Sequence, residues 1–258
     1  MRRVHPTAVV DPGAKLGDDV CIGPYSVVGE GVELDEGVEI GSHVVLTGPT
    51  RVGARSRIFP FCVIGGEPQV RDAEGRSWLR IGRENVIREY TSIHCGTPSP
   101  GGGTTIGDGN FLLNNVHVAH DCRLGSHCVL TSFAALAGHV EVLDHAVLGA
   151  RVGVHQFCRV GESSFIGAGS RLSKDAPPFA RVLGARARFA GVNTLGLERR
   201  GFSAERIADI KHAYHLLFQS KLRLEPALAR VEAECGDVPE VARLLAFFRG
   251  SARGVTRS

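Results

Sequence analysis

Leu112-Leu113-Asn114-Asn115-Val116-His117-Val118-Ala119-His120-Asp121-Cys122-Arg123-Leu124-Gly125-Ser126-His127-Cys128-Val129-Leu130 places an aliphatic side chain at every sixth position: Leu112, Val118, Leu124 and Leu130. Followed outward, the period holds over most of the chain. Towards the N-terminus it runs from Val4 through Val10, Leu16, Ile22, Val28, Leu34, Ile40, Leu46, Val52 and Ile58 to Ile64. It resumes at Ile81, Ile87 and Ile93, and again at Ile106, from which it continues unbroken to Leu172. Every one of these positions is Ile, Leu or Val. A fixed short period of this kind is the mark of a solenoid, in which each repeat buries its apolar side only against its neighbours.

The other slots of the hexad are patterned too. Glycine often follows the aliphatic residue, as at Gly17, Gly23, Gly41, Gly107 and Gly125, where a sharp turn is expected. Four residues after the aliphatic one stands a small side chain, as at Ala14, Ser26, Ser56, Cys62, Cys122, Cys128, Cys158 and Ser164. Four of the seven cysteines occupy this slot, which makes them small interior hydrophobes rather than ligands or redox groups. Three hexads close one triangular coil of 18 residues, and coils stack at about 4.8 Å as parallel strands do. The chain therefore reads as a mainly β protein, a parallel β-helix over 1–190.

Two loops interrupt the repeat, at 65–80 and 94–105, and segments extruded from a rigid scaffold are where function concentrates. Pro177-Pro178 ends the hexads. Residues 191–258 read as a small helical domain: Ser203 caps a helix running to about Ser220, with Ile207, Ile210, Tyr214, Leu217 and Phe218 at helical spacing. Two more helices are expected near 224–235 and 238–249.

Composition limits the function classes. The 258 residues are 43% hydrophobic and 22% charged, with 33 glycines, one Trp and one Met, so the core is built from small and branched aliphatic side chains. A net charge of +3 is too slight to argue for nucleic acid or a membrane surface. It is unevenly spread, however: residues 181–258 carry fourteen basic and eight acidic side chains, which suits an acidic partner. No apolar run approaches the ~20 residues of a transmembrane helix. Met1-Arg2-Arg3-Val4-His5-Pro6 is no secretory signal, and seven cysteines without a framework spacing fit a cytoplasmic setting.

Six of the eleven histidines fall between 117 and 155. In an 18-residue coil, position 138 stacks over 120, so Gly138 is expected above His120 with His139 beside it. His155 follows one coil later. His117, His120, His139 and His155 are thus expected along one groove, a set suited to general base chemistry near neutral pH. His5, His43, His127 and His145 read as surface residues. A zinc site is the rival reading of clustered histidines. The γ-class carbonic anhydrases share this fold and bind zinc through His, but their five-residue ligand spacing has no counterpart among the histidines here.

Taken together, His117-Val118-Ala119-His120-Asp121-Cys122, Leu136-Ala137-Gly138-His139-Val140, Val154-His155-Gln156-Phe157-Cys158 and Gly191-Val192-Asn193-Thr194-Leu195-Gly196-Leu197-Glu198-Arg199-Arg200-Gly201-Phe202-Ser203 closely resemble the acyl-carrier-protein-dependent UDP-N-acetylglucosamine O-acyltransferases of lipid A biosynthesis. The last segment, a bridge from hexapeptide repeat into helices, is the most specific of them. The resemblance implies a left-handed β-helix, a homotrimer with sites at subunit interfaces, and acyl carrier protein and a UDP-sugar as partners. It implies transfer of a 3-hydroxyacyl chain to the sugar 3-hydroxyl, with no metal and no cofactor beyond the 4′-phosphopantetheine thioester of the carrier.

Carried over to this chain, the resemblance casts His120 as the general base, Asp121 as its orienting partner and the Gly138 N–H as the oxyanion donor. His117, His139, His155 and Gln156 would position the substrates. Asn193 with Arg199 and Arg200 would hold the uridine diphosphate, although the two arginines also read as plain surface charges at a helix start. Gly167, Ala168 and Gly169 would shape an acyl groove with Arg186 near its end, or serve as ordinary coil residues.

One departure stands out. After Gly66-Glu67-Pro68-Gln69 the family pattern has Asp, an apolar residue and Lys against the sugar, whereas here Gln69 is followed by Val70-Arg71-Asp72. Arg71 and Asp72 substitute in exchanged order, or the loop takes another sugar such as a 3-amino analogue, which would make the reaction an N-acylation. A zinc lyase and a purely structural β-helix are the readings from other classes.

Overall fold

In the computed structural model, residues 2–71 and 74–257 are described, and they form a triangular prism of stacked coils carrying a helical domain at one end. Three sheets of eleven, nine and eight strands make the faces; all their pairings are parallel, between strands one coil apart, except the last in the eleven-stranded sheet, which is antiparallel. The register equals the sequence period: Ile22 lies against Ile40, and Val118 against Leu136, which in turn meets Val154. The excursions lengthen the coil locally, so that Arg57 pairs with Val86 and Val86 with Phe111. The aliphatic ladder fills the prism, and Val28, Leu46, Ile64, Ile93, Leu112, Leu130 and Leu148 are fully buried.

The small-residue slot behaves as its size requires. Ser26, Ser56, Cys62, Cys122, Cys128, Cys158 and Ser164 are all buried inside the corners. The thiols of Cys62 and Cys122 donate to the carbonyls of Arg88 and Ala137, each at 3.1 Å. All seven cysteines are free.

The glycines after the aliphatic residue have a different cause from the one their pattern suggests. The left-handed corner position falls two residues later and is usually not glycine, as at Tyr25, His43, Asn115, Asp121, His127, His139 and Phe157. The glycines are needed because the next coil's backbone lies directly over them. A Cβ on Gly17 would stand 2.7 Å from the Asp35 carbonyl carbon, and one on Gly53 would stand 2.5 Å from that of Gly82. Close stacking rather than backbone handedness selects glycine there.

The three faces differ outside. The third, which includes Lys15–Leu16, Val32–Leu34 and Arg159–Val160, is charged and cross-linked by Lys15–Glu33 and Arg159–Glu141 pairs, each at 2.6 Å. The first presents Phe111, Val129, Val147 and Phe165 in register. The second presents Val9, Val27, Val45 and Val63 near the N-terminus, then His117, Ala135, Gly153 and Arg171.

An antiparallel hairpin, Ala180–Leu183 with Arg188–Val192, extends the first face after the diproline and was not expected from the hexads. Four helices follow: α1 (Thr194–Arg199), α2 (Ala204–Gln219), α3 (Leu224–Cys235) and α4 (Pro239–Arg249). Ser203 caps α2 by accepting from the Arg206 N–H. The apolar side of α2 packs on the hairpin, with Tyr214 and Phe189 stacked at 4.7 Å. The tail then returns to the prism: Asp175 N–H donates to the Gly254 carbonyl, and Thr256 N–H to that of Asp175. No helix is long and apolar enough to cross a membrane among the described residues.

Candidate active site

A groove of about 910 Å³ runs along the second face and its corner, lined by His117, His120, Gly138, His155, Gln156 and Arg186, with Gln69 reaching in from the first excursion. The hollow exists because the outward positions above His117 are small. Ala135 and Gly153 follow it in the ladder, and a Cβ on Gly153 would meet nothing within 4 Å.

His120 and Asp121 sit at the corner after the strand His117–Val118. Asp121 adopts the left-handed conformation (φ 58°), which turns its carboxylate back towards its own neighbour. His120 Nδ1 lies 2.8 Å from Asp121 Oδ2, leaving Nε2 without a hydrogen-bond partner among the described residues. The carboxylate is shielded, its side chain only 5% exposed against 15% for the imidazole. Burial alone would raise the Asp121 carboxyl's pKa. Hydrogen bonds from His120, Gly103 and Thr97 outweigh it and hold the group below the ordinary aspartate value.

Gly138 stacks one coil above, as the 18-residue arithmetic requires. A Cβ there would stand 2.5 Å from His120 Cε1 and 2.6 Å from Nε2, so only glycine lets the ring lie flat against the backbone. The Gly138 N–H donates to no acceptor among the described residues. A free imidazole nitrogen and a free backbone donor thus face one groove, the pair that acyl transfer needs for proton removal and oxyanion binding.

His117 lies deeper, its Nδ1 2.9 Å from Ser92 Oγ. Burial, reinforced by neighbouring His94, lowers its pKa and favours the neutral ring. His155 Nδ1 lies 3.1 Å from the Gln156 carbonyl at the exposed rim.

His139 departs from the expected line. It too takes a left-handed corner conformation, which swings it around the edge of the prism, where it stacks on Phe157 at 4.5 Å. Its Nε2 stands 3.7 Å from Asp121 Oδ2, and it lines a separate depression of about 430 Å³ with Asp121 and Arg159. The three groups His120, Asp121 and His139 are close enough to hold a metal ion. Both Asp121 oxygens, however, already accept protein donors from Thr97, Gly103 and His120. An ion could use that carboxylate only by displacing them, and this geometry fits a base with its orienting acid better than a cation cage.

Other expected residues lie elsewhere. Asn193, Arg199 and Arg200 line a pocket of about 800 Å³ on the first face, together with His127 and His145, and do not meet His120 within one chain. Asn193 caps α1 by accepting from Gly196 N–H and donates to the Ser163 carbonyl at 2.9 Å. Arg199 and Arg200 stand at the end of α1 rather than at a helix start, and Arg200 donates to Ser163 Oγ. Gly167, Ala168 and Gly169 form a corner turn outside the groove lining, where a Cβ on Gly167 would strike Leu183. Arg71 is exposed and not part of the lining, and Asp72 lies outside the described residues.

Four contributors escaped the sequence reading: Ser92, His94, Thr97 and Gly103. Ser92 sits one coil below His117 but 25 residues away because an excursion intervenes. His94 packs its ring against His117 at 5.2 Å and lies 2.7 Å through Nδ1 from the Glu67 carbonyl. Thr97 and Gly103 belong to an extruded loop, where the hexad register says nothing about contacts.

Comparison with known proteins finds relatives over the full length of the chain. Residues 175–256 match the second domain of the UDP N-acetylglucosamine O-acyltransferase family, and 13–48 and 103–138 match the bacterial transferase hexapeptide. The acyl-[acyl-carrier-protein]–UDP-N-acetylglucosamine O-acyltransferase of Halorhodospira halophila is 46% identical over all of both chains, and that of Thermodesulfovibrio yellowstonii is 42% identical over the same extent. The crystal structure of Francisella novicida UDP-N-acetylglucosamine acyltransferase superposes with a TM-score of 0.96 at 36% identity, covering 99% of this chain and 94% of that one. The Campylobacter jejuni UDP-N-acetylglucosamine acyltransferase gives 0.94 at 34% identity, covering 99% and 100%.

Proposed function

Because this chain belongs to the acyl-[acyl-carrier-protein]–UDP-N-acetylglucosamine O-acyltransferase family and is an acyltransferase, we propose that it moves a (3R)-3-hydroxyacyl group from acyl carrier protein to the 3-hydroxyl of UDP-N-acetylglucosamine, the first step of lipid A biosynthesis. The observation that carries the chemistry is the His120 imidazole: Nδ1 engaged by Asp121, Nε2 open to the groove, and the ring lying on Gly138. Nε2 takes the proton of the sugar hydroxyl as its oxygen attacks the thioester carbonyl. The negative charge formed on that carbonyl oxygen is received by the Gly138 N–H. Collapse expels the pantetheine sulfur, which leaves with the proton from the imidazolium, and the ester remains on the sugar. Asp121 stays ionised throughout and keeps Nδ1–H in place.

His117, neutral and deep in the groove, is suited to hydrogen-bond the acceptor sugar, with Gln69, His155 and Gln156 along its rim. Asn193, Arg199 and Arg200 hold the diphosphate from another copy of the chain. Two features support that arrangement: the two half-sites lie on different faces, and the first and second faces carry outward apolar ladders while the third is charged. Joining unlike faces is a head-to-tail contact, which forms a ring when its rotation closes, and we take that ring to be a trimer. The basic excess of residues 181–258 suits an acidic carrier protein, and seven free cysteines suit a cytoplasmic setting.

The test is an acyl-transfer assay read by mass spectrometry, offering UDP-N-acetylglucosamine and its 3-amino analogue with 3-hydroxyacyl carrier proteins of several lengths. Ester product on UDP-N-acetylglucosamine is the expected result. Product only on the amino sugar would mean that Val70-Arg71 had redirected the enzyme to N-acylation.

A further inference from the structure

The Asp121 carboxylate is gripped from outside the prism. Its Oδ1 accepts the Thr97 N–H at 3.1 Å and the Gly103 N–H at 3.0 Å. Its Oδ2 accepts Thr97 Oγ1 at 2.9 Å, opposite His120 Nδ1 at 2.8 Å. The backbone is fixed as well, because Asp121 N–H donates to Thr104 Oγ1 at 2.9 Å. Among the described residues, every donor to the carboxylate apart from His120 comes from the second excursion.

That loop is shaped by contact distances that leave no room for a side chain. A Cβ on Gly96 would lie 2.2 Å from Gly103 N and 2.6 Å from Asp121 Oδ1, and one on Gly102 would lie 2.2 Å from the Thr97 carbonyl. A Cβ on Gly103 would lie 2.3 Å from the Trp78 ring. Trp78 belongs to the returning limb of the first excursion. Its carbonyl accepts Gly96 N–H at 3.3 Å and Thr104 N–H at 3.0 Å, while Ser77 Oγ donates to the Gly102 carbonyl at 2.7 Å. The Arg80 guanidinium lies 4.3 Å from the indole centroid. The outgoing limb of the same excursion delivers Gln69 to the groove.

We propose that the two excursions together form a positioning device for the catalytic pair, in which Thr97 and Gly103 hold the Asp121 carboxylate in the orientation that locks His120 Nδ1–H, and Trp78 is the plate against which the loop is moulded. The physical ground is the carboxylate's own freedom. The terminal torsion of an aspartate is broad, so one hydrogen bond to His120 would not fix it. Three further donors leave a single orientation, and a fixed carboxylate in turn fixes the imidazole's tautomer and direction. Thr97 and Gly103 are positioning residues, since they act through Asp121 and neither lines the groove that holds His120 and Gly138. This inference rests on His120 being the base.

The experiment compares kcat and KM of the full-length enzyme with those of Thr97→Val, Thr97→Ser, Gly103→Ala and, as a reference, His120→Ala. Thr97→Val and Gly103→Ala should lower kcat roughly 10- to 100-fold, the scale of a small misplacement of catalytic groups. KM for the sugar nucleotide should stay within about twofold, since no binding contact is removed. Thr97→Ser, which keeps the donor, should recover most of kcat. The His120 Nδ1–H proton resonance, assigned by its loss in His120→Ala, should move in Thr97→Val. Unchanged kcat in both loop variants beside an inactive His120→Ala would overturn the proposal, as would a raised KM at constant kcat. Were His120→Ala to keep its rate, the base assignment would fail on its own, and an unmoved Nδ1–H resonance in Thr97→Val would still refute the clamp.

Discussion

His120 Nδ1 and Asp121 Oδ2, 2.8 Å apart on adjacent residues, are aligned by a corner of the prism rather than by a distant element. Neighbouring residues seldom face each other, and here they do because Asp121 is left-handed. Asp121→Asn preserves the shape but offers His120 an amide able to present N–H, which favours the wrong tautomer. We expect kcat to fall by roughly 10²- to 10⁴-fold with little change in KM, as steady-state kinetics with both substrates would record.

The same substitution has a pH signature. The Asp121 carboxyl is held below its usual value, so its ionised form stabilises the fold above about pH 4. That contribution is lost as pH falls through the lowered folded-state value. Between pH 5 and pH 3 the wild-type Tm should drop more steeply than that of Asp121→Asn. Parallel curves by calorimetry would contradict this.

Gly138→Ala introduces a methyl 2.5 Å from His120 Cε1 at a buried corner of the prism. The ring must swing away, so transfer should fall at least about 100-fold. The Tm should stay within a few degrees, because no core contact is lost. A variant that is both active and correctly folded would show that the ring need not lie on this backbone.

Gly153→Val addresses the groove itself. A Cβ there meets nothing within 4 Å, and a β-branched residue suits the strand Gly153–Val154. Stability should hold or rise slightly, while substrate binding is obstructed and KM rises. Unaltered kinetics would mean that neither substrate crosses this part of the second face.

Much of this architecture is readable in the sequence because the aliphatic period and the strand register are the same quantity. Val118, Leu136 and Val154 are 18 residues apart and one coil apart. That arithmetic placed Gly138 over His120 correctly. Ser203 and the spacing of Ile207, Ile210, Tyr214 and Leu217 likewise marked α2 to within a residue of its ends.

The arithmetic gives axial position but not the direction of a side chain at a corner. His139 therefore turned away from the groove, despite lying at the expected height. Asn193 and Arg200 follow an antiparallel hairpin, which no hexad encodes, and so came to rest on the first face. Thr97 and Gly103 reach Asp121 across 24 and 18 residues from inside an extruded loop. The glycine-rich stretch announced an unusual conformation without naming what it wraps.

The central claim is that His120, under the control of Asp121, removes the acceptor proton. Its most direct test is single-turnover acyl transfer by His120→Ala, with carrier-bound 3-hydroxyacyl donor and UDP-N-acetylglucosamine both saturating. General base catalysis by a positioned histidine contributes roughly 10²- to 10⁴-fold, so a loss of that size with sugar-nucleotide binding retained is the expected result. A single-turnover rate equal to that of the unaltered enzyme would contradict the account.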